Sequence, residues 1–257
     1  MFLDAIVASV DERVERLQKD AAELRQRAEA AGPARSLRQA LTADEGGLQV
    51  IAECKQKSPS KGWLTDHYDP VAQALRYEQE GASAISVLTE PEYFAGDLSH
   101  LEAVRAKVRL PVLRKDFVRD PVQLFEARAH GADAALLIVR IVDDARLKDL
   151  CETARGIGLE VLVEIHSASE AERALALNPA IVGVNNRDLD SFDTRLEFSR
   201  DMAARLDPSI VRVSESGIQT VDDLRLVKSW GYQAVLVGES LMRGSALLRT
   251  WSDGDRH

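Results

Sequence analysis

Eight short apolar runs recur through residues 49–257, about one every 26 residues, and several end on charged or amide side chains. The predicted strands are 49–54, 84–88, 112–114, 134–139, 160–164, 181–184, 211–213 and 234–237. Each is rich in Val, Ile, Leu or Ala, as parallel strands covered on both faces are. Five run ends carry the chemistry: Ile51 to Lys55, Leu113 to Asp116, Leu162 to Ile165, Val184 to Asp188 and Val213 to Gly217. A charge at the carboxyl end of a buried strand does not cover a core, because burying it unpaired costs several kcal/mol. Repeated strand by strand, the pattern describes a site built at one rim of a parallel barrel.

Helix-length stretches separate the runs, among them 70–80, 121–130, 143–156, 169–177 and 221–230. Several open on Asp, Ser or Thr or carry Pro in the first turn, and Gly81, Gly131 and Gly231 close three of them. The expected class is α/β, a (β/α)8 TIM barrel with an N-terminal helical extension, divided as 1–47 and 48–257. An open doubly wound sheet is the rival. No Gly-x-Gly-x-x-Gly follows the first run, and eight regular units suit closure. In the extension, Leu3, Ile6, Val10, Val14, Leu17, Ala21 and Leu24 recur at helical spacing, and Ala31-Gly32-Pro33 ends the pattern. That helix either packs on the outside of the barrel or serves as a coiled-coil or partner helix. Residues 34–48 read as a polar connection, and the tail from Ser252 to His257 as disordered.

With a net charge of -9, the chain is a poor electrostatic match for nucleic acid. The N-terminus has no basic leader segment, and no window of about 18 apolar residues exists to span a membrane. Only Cys54 and Cys151 are present, without a pairing pattern, which fits a reduced cytoplasmic protein. No clustered His, Cys or acid positions show metal-ligand spacing, so no metal is expected. His67, His100, His130, His166 and His257 are scattered and read as surface or incidental.

Glu53 and Lys55 stand two apart, on one face of a strand, where the acid would hold the amine charged and aimed. Lys115, at the top of the third strand, has the choice of general acid, electrostatic clamp or Schiff-base amine. Glu164 lies between apolar neighbours, a setting that suits proton transfer. Asn185 and Arg187 offer an amide and a guanidinium to an anionic or carbonyl oxygen. Glu215 and Ser216 follow the seventh strand. Gly217 and Gly238 sit in turns after strands seven and eight, where barrels of this kind bind phosphate through backbone N–H groups. Glu239 and Ser240 follow the second turn. Ser58 opens a flexible polar loop, 58–62, able to close over the site and add a phosphate contact. Tyr93, Phe94 and Phe117 are placed to line a pocket for a flat apolar ligand.

These motifs, together with 87–96, 131–138 and 237–243, make the chain similar to indole-3-glycerol phosphate synthases over residues 48–245, the helical extension included. The resemblance implies a carboxy-lyase of L-tryptophan biosynthesis. Its reaction closes the indole ring of 1-(2-carboxyphenylamino)-1-deoxyribulose 5-phosphate with loss of carbon dioxide and water. It implies no cofactor, a small phosphorylated substrate as partner, no nucleic acid or membrane, and a monomer or weak oligomer. By the same resemblance Lys115 is the general acid and Glu164 assists proton removal and dehydration. Lys55 holds the carboxylate or serves the dehydration, and Glu53 orients Lys55 and exchanges protons with hydroxyls. Asn185 and Glu215 fix hydroxyls, and Arg187 fixes the carboxylate. Ser216 joins the substrate contacts. Ser58, Gly217, Gly238 and Ser240 surround the phosphate, with Glu239 contributing only its backbone N–H. Phe94, Phe117 and Leu136 sandwich the anthranilate ring. Two other readings remain at this stage: a Schiff-base aldolase or isomerase acting on another sugar phosphate, and a non-catalytic scaffold docked through residues 1–30.

Overall fold

The apolar runs become eight parallel strands that close on themselves: β1 (Gln49–Cys54), β2 (Ala84–Leu88), β3 (Val112–Lys115), β4 (Ala134–Ile138), β5 (Glu160–Ile165), β6 (Ile181–Asn185), β7 (Val211–Glu215) and β8 (Ala234–Val237). The computed structural model describes residues 2–44, 46–189 and 191–254. β1 pairs with β2 on one side and β8 on the other, which seals the barrel. The period of two in each strand divides its side chains between two cores. Val50, Ala52, Cys54, Ile85 and Val87 face outward beneath the helices. Ile51, Ala84, Leu113, Leu136, Leu162, Ile181, Val213 and Leu236 fill the interior.

The strand positions agree with the sequence reading, and β3, β5, β6 and β7 each run one or two residues further than expected. Those extra residues include Lys115, Asn185 and Glu215. Strand pairing therefore continues into the functional rim and fixes the backbone under these side chains. The helices start where capping dictates. Asp69, Asp120, Asp143, Ser167 and Thr220 each accept a backbone N–H of the first turn. Gly81, Gly131 and Gly231 take left-handed φ values of 95°, 86° and 84° at three helix stops.

Three expectations need correction. The connection 34–48 is not simply polar: α1 (Phe2–Leu17) and α2 (Ala21–Ala30) are followed by α3 (Leu37–Leu41), whose Leu37 and Leu41 are buried with the barrel interior. Next to α3, the Arg35 backbone N–H donates to Asp133 and the Ser36 hydroxyl to Glu160, at the amino ends of β4 and β5. The short helix thus plugs the end of the barrel opposite the functional rim. Nor does α1 lie only on the outside. Its Phe2, Leu3 and Ile6 line the cavity at the carboxyl ends of the strands. Meanwhile α2 packs along the helix Pro121–Ala129. Finally, a helix covers Leu247–Gly254, so order extends past Ser252, while the rest of the tail, 255–257, lies outside the described residues. Trp251 anchors that helix: it is buried and donates from Nε1 to the carbonyl of Leu48 at 3.0 Å.

The plug has a measurable role. Leu37→Ala removes a fully buried side chain from a closed end, and we expect a loss of about 2–5 kcal/mol in urea unfolding. A loss below about 1 kcal/mol would show that α3 is not part of the barrel core.

Candidate active site

A cavity of about 700 Å³ opens at the carboxyl ends of the strands. Of the residues singled out in the sequence, Tyr93 does not line it, and packs instead against Phe2 of α1 with ring centroids 5.0 Å apart. Glu53, Lys55, Ser58, Phe94, Lys115, Phe117, Leu136, Glu164, Asn185, Arg187, Glu215, Ser216, Gly217, Gly238, Glu239 and Ser240 all line it. The two-residue period is the cause. Leu113 and Leu162 point into the barrel, so Lys115 and Glu164, two residues further on, do as well.

Lys115 occupies the centre. Its Nζ lies 2.7 Å from Glu164 Oε2 and 2.7 Å from Glu215 Oε2, a bridge between β5 and β7. Both carboxylates are buried. Burial by itself would lower the lysine's pKa, but Glu164, Glu215 and Glu53 outweigh it and hold the ammonium charged. The two acids divide. Burial pushes Glu215 up, reinforced by the charge of Glu164 and opposed by Lys115. Burial acts on Glu164 too, but Lys115 and His166 overcome it and carry that carboxyl well below the usual range. The site therefore sets two neighbouring carboxyls apart, Glu215 shifted toward its neutral form and Glu164 held ionised.

Beside this cluster, Lys55 Nζ donates to Glu53 Oε1 at 2.5 Å. Two glycines make room for the acids. A Cβ at Gly183 would collide with the Glu215 carboxylate, and one at Gly238 with that of Glu53. Asn185 Oδ1 accepts from the Arg187 backbone at 3.1 Å and from Ser216 Oγ at 2.9 Å, which ties the β6 and β7 ends together.

The cavity has two unlike ends. At one end stand Ser58, Gly217, Gly238 and Ser240. Ser58 Oγ is buried there without a hydrogen-bond partner among the described residues. The expected flexible loop is a short hairpin, Lys57–Ser58 against Gly62–Trp63, and its Ser60 accepts from Arg187 Nη1 at 3.2 Å. The Glu239 side chain is engaged within the protein. Its carboxylate lies 3.7 Å from Arg187 and 3.3 Å from Arg243. At the other end, the rings of Phe94 and Phe117 are 6.1 Å apart beside Leu136.

Sequence reasoning missed several contributors. Ile138 and Leu236 complete the apolar wall, and Ile138 carried a signal, standing two residues beyond Leu136. Asp116 is buried and gathers the groups around it: Arg13 of α1 at 2.6 Å, Arg114 at 3.0 Å, Thr89 at 2.7 Å and the Phe117 backbone at 2.8 Å. His166 is not a surface residue: its side chain is 1% exposed and its Nε2 stands 3.2 Å from Glu164 Oε1. Its signal was the same two-residue step from Glu164.

A family model described as indole-3-glycerol phosphate synthase matches residues 3–250. The chain belongs to the indole-3-glycerol phosphate synthase family. It is 50% identical over 237 residues to the synthase of Roseiflexus sp. (strain RS-1), covering 89% of this chain and 87% of the relative. The synthase of Carboxydothermus hydrogenoformans is 44% identical over 251 residues, 95% of both chains. That of Desulfotalea psychrophila is 44% identical over 256 residues, 97% of this chain and 98% of the relative. The family model runs through the N-terminal helices as well as the barrel, and takes in Leu3 and Ile6 of the cavity lining.

Asp116 supplies a pH test of the site's scaffold. Burial opposes its ionisation, but Arg114, Arg13 and Thr89 lower its pKa to about 2. A carboxyl depressed on folding stabilises the protein above its unfolded pKa, and that stability is lost as pH falls toward the folded value. We expect stability, measured by urea unfolding, to fall more steeply between about pH 4 and pH 2 in the parent than in Asp116→Asn. Equal slopes would remove Asp116 from the acid-sensitive set.

Proposed function

We propose that the chain converts 1-(2-carboxyphenylamino)-1-deoxyribulose 5-phosphate to indole-3-glycerol phosphate, with release of carbon dioxide and water, as a carboxy-lyase of L-tryptophan biosynthesis. The observation that carries the assignment of roles is the Lys115 ammonium held between Glu164 and Glu215 in a cavity that is also lined by an apolar shelf and by serine and glycine turns. A substrate with an aromatic ring at one end and a phosphate at the other matches that layout.

Phe94, Phe117 and Leu136 hold the anthranilate ring. Ser58, Gly217, Gly238 and Ser240 take the phosphate, and the unpartnered Ser58 hydroxyl supports this placement. Pinning both ends bends the sugar chain so that its carbonyl carbon meets the ring carbon that bears the carboxylate. Such positioning is worth about 7–11 kcal/mol in a good near-attack geometry. As the carbon–carbon bond forms, Lys115 gives a proton to the carbonyl oxygen. Carbon dioxide then leaves the attacked carbon, and its bonding pair returns to the ring. In the dehydration that follows, Glu164 accepts a proton from the ring system while the hydroxyl takes a proton from Lys55 or from a reprotonated Lys115 and departs as water. Lys55, aimed by Glu53, holds the carboxylate with Arg187 or serves the departing hydroxyl. Asn185, Glu215 and Ser216 fix the hydroxyls.

Electrostatics favours an acid over a Schiff-base amine at position 115. A nucleophilic lysine needs a lowered pKa, whereas the surrounding carboxylates raise that of Lys115. Borohydride should therefore trap no adduct with the substrate.

The purified protein, mixed with the carboxyphenylamino-deoxyribulose phosphate in the presence of a chelator, should develop indole fluorescence. No turnover from folded protein would overturn the assignment. Lys115→Met keeps bulk without a transferable proton, and its kcat should fall about 10²–10⁴-fold with KM within a few fold. Glu164→Gln should lose turnover yet retain phosphate-dependent substrate binding in titration calorimetry. A parental rate in either variant removes that residue from the mechanism.

A further inference from the structure

Glu164 is supported from behind by a chain of groups that plays no part in the mechanism above. The β5 strand ends at Ile165, and His166 is the next residue. Ser167 then caps the helix Ala168–Leu175 by accepting the Glu170 N–H at 3.2 Å. Glu170, in the first turn, reaches back and accepts the His166 backbone N–H at 2.7 Å. This local fold clamps the backbone of His166 and leaves its ring between two carboxylates. Nε2 lies 3.2 Å from Glu164 Oε1, and Nδ1 lies 3.5 Å from Glu170 Oε2. Arg140, in the turn after β4, holds Glu170 at 3.1 Å and faces Asp188 at 4.0 Å. On the far side, Lys115 takes the other Glu164 oxygen, with Glu215 beyond it.

Each oxygen of Glu164 is thus spoken for, Oε2 by Lys115 and Oε1 by His166. Only Lys115 is a lining residue of the cavity. Both ring nitrogens of His166 are buried and make no hydrogen bond among the described residues, so the two carboxylates at 3.2 and 3.5 Å are the charged groups they face. We propose that His166 is a positioning residue that fixes the Glu164 carboxylate from outside the cavity and, with Lys115, keeps it an ionised proton acceptor. The inference rests on the role given to Glu164 above. It fits the geometry: once Lys115 has given its proton away, the His166 ring still stands 3.2 Å from this carboxylate. The depressed pKa of Glu164, in which His166 shares, agrees with it.

The test compares His166→Phe and His166→Gln with the parent through the pH dependence of indole formation. Phe fills the space without a donor. Gln keeps an N–H for Glu164 Oε1 but cannot carry charge. For His166→Phe we expect kcat to fall about 10–100-fold with KM within about threefold, as a misplaced catalytic group does. Loss of the neighbouring donor and charge raises the Glu164 pKa, so the acid limb of the kcat profile should move to higher pH. His166→Gln should recover most of the rate on the alkaline plateau while its acid limb stays displaced. A parental rate and profile in both variants would overturn the proposal. So would a fall in rate with an unmoved acid limb, the mark of a packing defect alone. If the Phe variant fails to fold, the acid limb of the Gln variant decides by itself. An inactive parent would instead strike down the proposed function, and an active parent with an active Glu164→Gln would strike down the role of Glu164.

Discussion

The site depends on one ammonium group shared by two buried carboxylates. Lys115 meets Glu164 and Glu215 at 2.7 Å each, and neither acid would tolerate its position without it. Taking one partner away from a buried pair costs about 3–5 kcal/mol, because the remaining charge stays in a poor solvent. The rest of the rim reads as provision for this arrangement. Gly183 gives up a side chain so that Glu215 can fit, and Gly238 does the same for Glu53. Strand pairing runs as far as Lys115, Asn185 and Glu215, so the charged residues rest on the most rigid backbone available. A barrel suits this need because each of its strands delivers a side chain to the same ring.

Much of this was legible in the sequence because both layers obey the same period. Lys115 and Glu164 could be read as inward-facing from Leu113 and Leu162 alone. The helix stops at Gly81, Gly131 and Gly231 were equally plain. What escaped was set by contacts distant in sequence. Leu37 and Leu41 look like part of a connection until the open end of a barrel is there to receive them. The apolar stripe of α1 announces a buried face, but its spacing does not distinguish the outer wall from the mouth. Arg13 on Asp116 and Arg119 on Asp11 settle that, and these pairs lie more than a hundred residues apart. His166 shows a different limit. Its distance from Glu164 in the sequence was informative, yet a lone histidine carries no mark of being buried between two acids.

Charge at the mouth raises a problem that the ion pairs resolve. The chain carries a net charge of -9, yet the proposed substrate bears a phosphate and a carboxylate. Lys55, Lys61, Lys115, Arg187 and Arg243 line the cavity, set against Glu53, Asp116, Glu164, Glu215 and Glu239. Asp116 is neutralised from outside the cavity by Arg114 and Arg13. Among the remaining lining residues the cations outnumber the acids, so the mouth is locally receptive to an anion despite the charge of the whole.

Glu239 then acquires a physical reading. It was expected to help a phosphate through its N–H alone, yet its carboxylate faces Arg187 and Arg243. Both arginines are partly exposed, and pairs of this kind are individually weak. On the proposed function, the substrate's phosphate and carboxylate each compete with Glu239 for a guanidinium, the carboxylate for Arg187 and the phosphate for Arg243. On that same proposal, the deep pairs at Lys115 and the shallow ones at Glu239 therefore behave differently when substrate arrives. The buried set keeps its geometry because breaking it is costly, and the rim set exchanges partners because breaking it is cheap. Recognition of the anionic end and preorganisation of the proton-transfer groups are separated by depth in one cavity, with burial deciding which ion pairs are permanent.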